Sequence, residues 1–87
     1  MSSSVNSIEA TATVKRVWFE ENFICLELND GREVRTPLSF YPRLLSAKPS
    51  DREDLEIIGL GTGIHWGKLD EDLSVEGILL GRPSFSR

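Results

Sequence analysis

The alternation of apolar and polar residues in the first half of the chain predicts three strands. Residues 11–19 are rich in β-branched and aromatic side chains, and residues 23–29 alternate between apolar and polar positions. A further short run, residues 33–36, follows the Asp30-Gly31 pair. Because Asp-Gly supplies the positive φ of tight hairpins, we expect the second and third strands to be joined by such a turn.

Short helical segments are predicted where the apolar spacing changes. Ser39 stands where an N-cap would precede one or two turns ending at Leu45, and Ser50 could cap a single turn over the next four residues. A last helix is expected after Ser74, which can cap it. Gly81 should end that helix, because glycine readily adopts the left-handed conformation that closes a helix.

The remaining apolar runs complete an α+β prediction. We expect a fourth strand over residues 55–60, a break at residues 61–63, and an extended piece at residues 64–66 that continues the sheet. The predicted fold is therefore a small antiparallel or mixed sheet of four to five strands with two or three short helices. Residues 11–82 form the domain, between an N-terminal arm of residues 1–10 and a short tail of residues 83–87.

Composition adds limits on compartment and core size. The chain has 87 residues, of which 39% are hydrophobic and 28% charged, so we expect a small core folded in water, with no membrane span. Residues 1–7 lack the basic and apolar regions of a secretory signal, and Cys25 is the single cysteine. Both observations favour the cytoplasm, where disulfides are rare.

The net charge of −4 is concentrated in one segment. Residues 51–76 carry eight acidic and two basic side chains, a local charge of −6. Such a segment repels phosphate backbones and attracts basic surfaces. We therefore expect a protein partner with a basic surface, or self-association, and we expect no direct binding of nucleic acid.

No pattern typical of catalysis or cofactor binding is present. His65 is the single histidine, but no serine, cysteine or threonine is marked as a nucleophile beside it, so we predict no enzymatic activity. The acidic residues Asp70, Asp72 and Glu76 lack the spacing of a calcium loop, and the chain has too few His and Cys residues for zinc. We expect no cofactor or metal, and Cys25 is interpreted as a packing residue.

Two tryptophans complete the candidate region. Trp18 and Phe19 are adjacent on a predicted strand and so point to opposite faces, and we expect one of them to be exposed as part of an interface. Trp66 follows the single histidine. The candidate interaction or ligand region therefore consists of Trp18, His65, Trp66, Asp70, Asp72 and Glu76.

Three consecutive segments resemble the small bacterial family catalogued as domain of unknown function 2442. They are a strand pair closed by Asn-Asp-Gly-Arg, then PLSFYPRLLSAKPSDREDLEIIG, then GIHWGKLDEDLSVEGILLG, and the resemblance covers roughly Val14 to Arg82. Gly67 stands where many relatives have proline. The resemblance implies a compact α+β domain, sometimes fused to a DNA-binding helix-turn-helix and sometimes encoded beside a second small protein, as toxin–antitoxin pairs are. Five residues follow Arg82, so we expect no helix-turn-helix here.

These observations lead to a first hypothesis and two alternatives. The first is a protein-interaction module, in which the acidic segment, together with an exposed aromatic or a free strand edge, docks a protein partner. An antitoxin-like role would fit such a module. One alternative is a small-molecule or metal-binding sensor centred on residues 61–72, with His65 and Trp66 at its heart. The other is an accessory regulatory domain related to the helix-turn-helix fusions.

Overall fold

Two antiparallel sheets of three strands each form the framework of the protein. The computed structural model describes residues 12–83, so the arm predicted for residues 1–10 and most of the predicted tail lie outside the described residues. The six strands within these residues are β1 Val14–Glu20, β2 Phe23–Leu28, β3 Glu33–Pro37, β4 Leu55–Ile58, β5 Gly63–Trp66 and β6 Glu71–Ser74. The same residues contain three short α-helices, α1 Pro42–Leu45, α2 Pro49–Glu53 and α3 Val75–Leu79. Turns of 3-10 helix cover Leu38–Phe40 and Gly59–Gly61.

The first sheet is the meander β1-β2-β3. In its register Val17 pairs with Leu26, which pairs with Val34, so one face carries a continuous apolar row across three strands. The β2–β3 connection confirms the predicted Asp-Gly turn: Gly31 has a φ of 95° and its N–H donates to the carbonyl of Leu28. The alternation in the sequence therefore produces an apolar inner face, while the outer face carries charged side chains together with Trp18 and Cys25.

The second sheet is the meander β4-β5-β6. Its inner face carries the row Ile57–Ile64–Leu73, and its outer face carries a row in which His65 is paired on one side with Glu56 and on the other with Asp72. Successive residues of a strand point to opposite faces, so Trp66 lies on the inner face and His65 on the outer face.

Both inner faces contribute to one hydrophobic core. The buried side chains come from β1, β2, the 3-10 turn after β3, α1, β5 and α3, and Tyr41 precedes α1. They are Val14, Ile24, Leu26, Leu28, Leu38, Tyr41, Leu44, Ile64, Trp66, Val75 and Ile78. Neither sheet could be stable alone in water, because each needs its apolar face covered.

Two predicted helix starts are wrong. The helix expected after Ser39 begins at Pro42, and the turn expected after Ser50 begins at Pro49, in both cases without a side-chain cap. Proline is favoured at the first helical position because its fixed φ suits the helix and the N–H it lacks would be unpaired there. The prolines therefore determine where α1 and α2 begin, and Ser39 lies within a 3-10 turn instead.

The last helix begins and ends as the sequence predicts. The Ser74 hydroxyl accepts a hydrogen bond from the N–H of Gly77 at 2.9 Å. At the other end the N–H of Gly81 donates to Ile78 and that of Arg82 to Gly77, with a φ of 72° at Gly81. This is the Schellman arrangement, which pairs the carbonyls left free at a helix end.

The α+β class is confirmed, with six strands in two sheets where four to five strands in one sheet were expected. The additional strand is β6, which ends at Ser74 in the acidic segment where no strand was predicted. Glu71 and Asp72 have low β-propensity, and pairing with β5 outweighs it. The predicted fourth strand is shorter than expected, because its last two residues enter a 3-10 turn.

In the β4–β5 turn, Leu60 adopts a backbone conformation that is unfavourable for a residue with a branched side chain. Gly59, Leu60 and Gly61 all have positive φ, 61°, 56° and 94° respectively. A Cβ on Gly61 would lie 3.2 Å from the carbonyl oxygen of Val14, so glycine is required where this turn meets β1. The Leu60 side chain itself is 98% exposed. A branched side chain thus occupies a strained position without any burial to compensate for it.

Replacing Leu60 by asparagine should therefore stabilise the protein. Leu60→Asn is expected to raise the free energy of unfolding by about 1 kcal/mol, because asparagine tolerates left-handed φ better than leucine. Leu80→Asn is the matched control, since Leu80 is exposed but has an ordinary φ of −84°. Urea unfolding curves measure both. Equal midpoints for wild type and Leu60→Asn would contradict the assignment of strain.

The cap of α3 provides a second test. Ser74→Ala should lower the free energy of unfolding by about 1 kcal/mol, because the N–H of Gly77 loses its acceptor. Ser50→Ala, at a serine that caps no helix, should change it by less than about 0.5 kcal/mol. Thermal and urea unfolding report the difference, and similar losses for the two variants would show that the cap contributes little.

Candidate functional site

The outer face of the second sheet gathers carboxylates around the single histidine. Glu56 on β4, His65 on β5 and Asp72 on β6 are cross-strand neighbours, and we call these three residues the acidic row. Asp70 lies in the turn just before β6 with a left-handed φ of 52°. Pairing in the sheet thus brings together residues that are up to 16 positions apart in the sequence.

His65 is bound to Asp72 within this row. Its Nδ1 lies 2.5 Å from a carboxylate oxygen of Asp72, and the two side chains are 36% and 70% exposed. The hydrogen bond that the imidazole donates to the Asp72 carboxylate is the largest influence and raises the pKa of His65, and the charges of Asp72, Glu56 and Asp70 act in the same direction. Protonation of His65 therefore offsets part of the negative charge on this face.

Trp66 is not part of this surface. Its side chain is fully buried and its indole N–H donates to the carbonyl of Arg52 at 2.7 Å. A buried tryptophan usually finds such a partner, so this geometry is that of a core residue. The structure therefore separates two adjacent candidates, with His65 on the surface and Trp66 in the core.

Trp18 lies on the outer face of the first sheet and is half-buried, as is Phe19, so neither is the exposed aromatic expected from the sequence. The Trp18 indole N–H donates to Glu20 at 3.0 Å, and the Arg16 guanidinium lies 4.4 Å from the ring centroid. Arg16 also forms an ion pair with Glu27 at 3.1 Å. Trp18 is thereby engaged by its neighbours on the same face.

Cys25 pairs with Trp18 on one side and Arg35 on the other, and is 1% exposed. Burial, with the nearby charge of Glu20, raises the pKa of the thiol, and Arg35 opposes this only in part. A thiol held in the protonated form is a poor nucleophile. The geometry agrees with the interpretation of Cys25 as a packing residue.

Two further observations bear on the sensor alternative. Within residues 12–83, no group of three or more His, Cys, Asp or Glu side chains is arranged to hold a metal ion. A cavity of about 210 Å³ lies beside β6 and α3 and is lined by residues including Tyr41, Ser74 and Arg82. It is smaller than the roughly 300–1,000 Å³ of typical ligand pockets. Neither observation favours a ligand site centred on residues 61–72.

Tyr41, one of the residues lining the cavity, carries a buried polar atom without a partner. Among the described residues, the Tyr41 hydroxyl makes no hydrogen bond, and burial raises its pKa.

Glu76, the remaining candidate, lies exposed in the first turn of α3 and so outside the acidic row. No helix among residues 12–83 is long and apolar enough to cross a membrane.

An apolar surface next to the acidic row was missed from the sequence. Three of the five large exposed hydrophobic side chains in the described part of the chain belong to the β4–β5 hairpin, namely Ile57, Ile58 and Leu60. The run Ile57-Ile58 was interpreted as a strand, but a strand's position at the edge or centre of a sheet depends on pairing that sequence does not give. β4 is an edge strand.

Comparisons with known proteins agree on family and fold. The model of the family described as "Protein of unknown function (DUF2442)" matches residues 14–84. A crystal structure of a protein of unknown function from Rhodospirillum rubrum is 25% identical, with a TM-score of 0.75, and the match covers 86% of this chain and 93% of that chain. A solution NMR structure of an uncharacterized protein from Chromobacterium violaceum is 23% identical, with a TM-score of 0.73 and coverage of 99% and 84%. The curated proteins contain no match.

The pair of His65 and Asp72 predicts a pH dependence. Asp72→Asn should lower the pKa of His65 toward its ordinary value of 6.5, because the main influence raising it is removed. The folded-state pKa of His65 lies above the unfolded one, so the stabilisation is complete below about pH 6.5 and is lost as pH rises through the folded-state pKa. The stability advantage of wild type over Asp72→Asn should shrink over that interval.

NMR titration of the His65 ring protons, together with urea unfolding at several pH values, measures both effects. Glu76→Gln is the control, since Glu76 is not among the groups that shift His65. An unchanged His65 titration in Asp72→Asn would contradict the proposed pairing.

Proposed function

The chain belongs to the DUF2442 family, and we propose that it is a non-catalytic protein-interaction module whose acidic row docks a basic surface of a partner protein. The observation that carries the proposal is that the carboxylates on this face form no ion pair with a lysine or arginine of the described residues. Within residues 12–83, no lysine or arginine forms an ion pair with Glu56, Asp70 or Asp72.

The first sheet shows the opposite arrangement. There Glu27 is paired with Lys15 and Arg16, and Glu20 with Arg35, at N–O distances between 3.1 and 3.8 Å. Glu20 and Glu27 are thus paired with basic side chains of the first sheet, whereas Glu56 and Asp72 have no lysine or arginine partner among the described residues. An uncompensated negative face attracts positively charged partners over a distance of about 8–10 Å at physiological ionic strength.

His65 gives this face a charge that depends on pH. When the imidazole is neutral, Glu56, Asp70 and Asp72 together contribute three negative charges, and protonation of His65 offsets one of them. A basic partner should bind more tightly above the pKa of His65 than below it. The protein partner that best fits is the second small protein encoded beside some family members, in an antitoxin-like pair.

Neutralising the acidic row tests the proposal. The double variant Glu56→Gln and Asp72→Asn should weaken binding to the co-expressed product of the neighbouring gene by roughly tenfold, because two attractive charges are removed. Titration calorimetry at low and high salt measures the loss, which should be smaller at high salt.

The matched control removes two charges elsewhere. Glu21→Gln with Glu33→Gln changes the net charge by the same amount at exposed positions in the β1–β2 turn and in β3. This variant should bind nearly as well as wild type. Equal affinity for wild type and the acidic-row variant, or an equal loss in the control, would count against a docking role for this face.

A further inference from the structure

The free edge of β4 is the least protected strand edge in the described structure. β1 contains an irregularity between Val14 and Arg16, and β3 ends in Pro37. β6 carries two acidic residues in its four positions. β4 carries only Glu56, beside two exposed isoleucines. Proteins usually blunt edges with charges, bulges or prolines, and β4 has the fewest of these devices.

The backbone of β4 is available on the side away from β5. Within residues 12–83, its hydrogen bonds are those of the pairing with β5, and no additional backbone bond from a turn or loop reaches Glu56, Ile57 or Ile58. An unpaired edge of this kind can accept a further strand through main-chain hydrogen bonds.

Leu60 extends the same surface. It follows β4 by two positions, and its side chain is 98% exposed although its backbone is strained. With a polar residue or glycine at this position the protein would be more stable and more soluble. A contact that the leucine makes with another molecule would account for its presence. Together, Ile57, Ile58 and Leu60 form what we call the apolar edge.

We propose that the partner adds an antiparallel strand to β4 and that this strand carries the pattern apolar-apolar-basic-apolar. This inference rests on the proposed function and specifies the partner. Each position follows from the row that the new strand would extend. The residue beside Glu56 joins the outer acidic row, so it should be lysine or arginine, since opposite charges on neighbouring strands attract.

The other three positions should be apolar, because each lies beside an apolar residue of β4. The residue beside Ile57 extends the inner row Ile57–Ile64–Leu73, and the one beside Leu55 lies next to a residue packed against the core. The residue beside Ile58 contacts an isoleucine that is 41% exposed. Read from its N-terminus, the antiparallel strand faces Ile58 first and Leu55 last.

A second copy of the chain is a poor occupant of this edge. Self-pairing of two antiparallel β4 strands would bring Glu53, Asp54 and Glu56 of both copies into one interface. Arg52, the basic residue nearest to β4 in the sequence, already donates to the carbonyls of Leu44 and Leu45 at 2.8 and 3.0 Å. Like charges across an interface oppose association, so charge complementarity selects a basic segment.

Synthetic peptides of about ten residues, with the pattern at their centre, test the inference on the full chain. Backbone amide shifts and hydrogen exchange report where each peptide binds, and titration gives its affinity. We expect the lysine peptide to protect amides of β4. A version with glutamate in place of lysine should bind roughly tenfold more weakly. A version N-methylated at the amides facing β4 should bind at least about fivefold more weakly, because each lost hydrogen bond costs affinity.

The variants separate this inference from the proposed function. Leu60→Asn should weaken the lysine peptide several-fold, with Leu80→Asn as the control that leaves it unchanged. If the N-methylated peptide binds as well as its parent and shifts only the acidic row, strand addition is wrong and the docking role of the row stands. Absence of binding at about 1 mM peptide also overturns strand addition. If the neighbouring gene product binds equally to wild type and the acidic-row variant, the proposed function fails.

Discussion

The hydrogen bond from the Trp66 indole to the carbonyl of Arg52 joins the two halves of the protein. Trp66 is the largest fully buried side chain, and it projects from the central strand of the second sheet. The Arg52 guanidinium, in turn, donates to the last carbonyls of α1 and lies 6.0 Å from the ring of Phe19 on the first sheet. Arg52 thus contacts Trp66 of the second sheet, Phe19 of the first sheet and the end of α1, so the positions of the two sheets and of α1 depend on one another.

Burial of Trp66 also determines which side chains reach solvent. Side chains alternate along a strand, so fixing Trp66 inside places His65 outside, and pairing then sets Glu56 and Asp72 beside it. A slip of one residue in β5 would bury the histidine and expose the tryptophan. The acidic row therefore follows from the burial of Trp66 and from the pairing of β5 with its two neighbouring strands.

The two outer faces differ in how their charges are balanced. In the first sheet, arginines stack on Trp18 and Phe23 and pair with glutamates, so the face is engaged within the protein. In the second sheet, the carboxylates of the acidic row have the histidine but no described lysine or arginine. The acidity found in residues 51–76 is thus not spread evenly over the surface. Part of it is concentrated next to an exposed apolar edge, a combination suited to a partner that is both basic and apolar.

The sequence by itself determined the local features: the first three strands, the Asp-Gly turn, the Ser74 cap, the helix end at Gly81 and the packing role of Cys25. Each depends on residues close together in the chain, where turn chemistry and alternation act directly. Tertiary structure decided that there are two sheets, that β6 is a strand, that Trp66 is core and His65 surface, and that β4 is an edge. These features depend on pairing between distant segments, whose free energy comes from burial and cross-strand contacts that no local pattern contains.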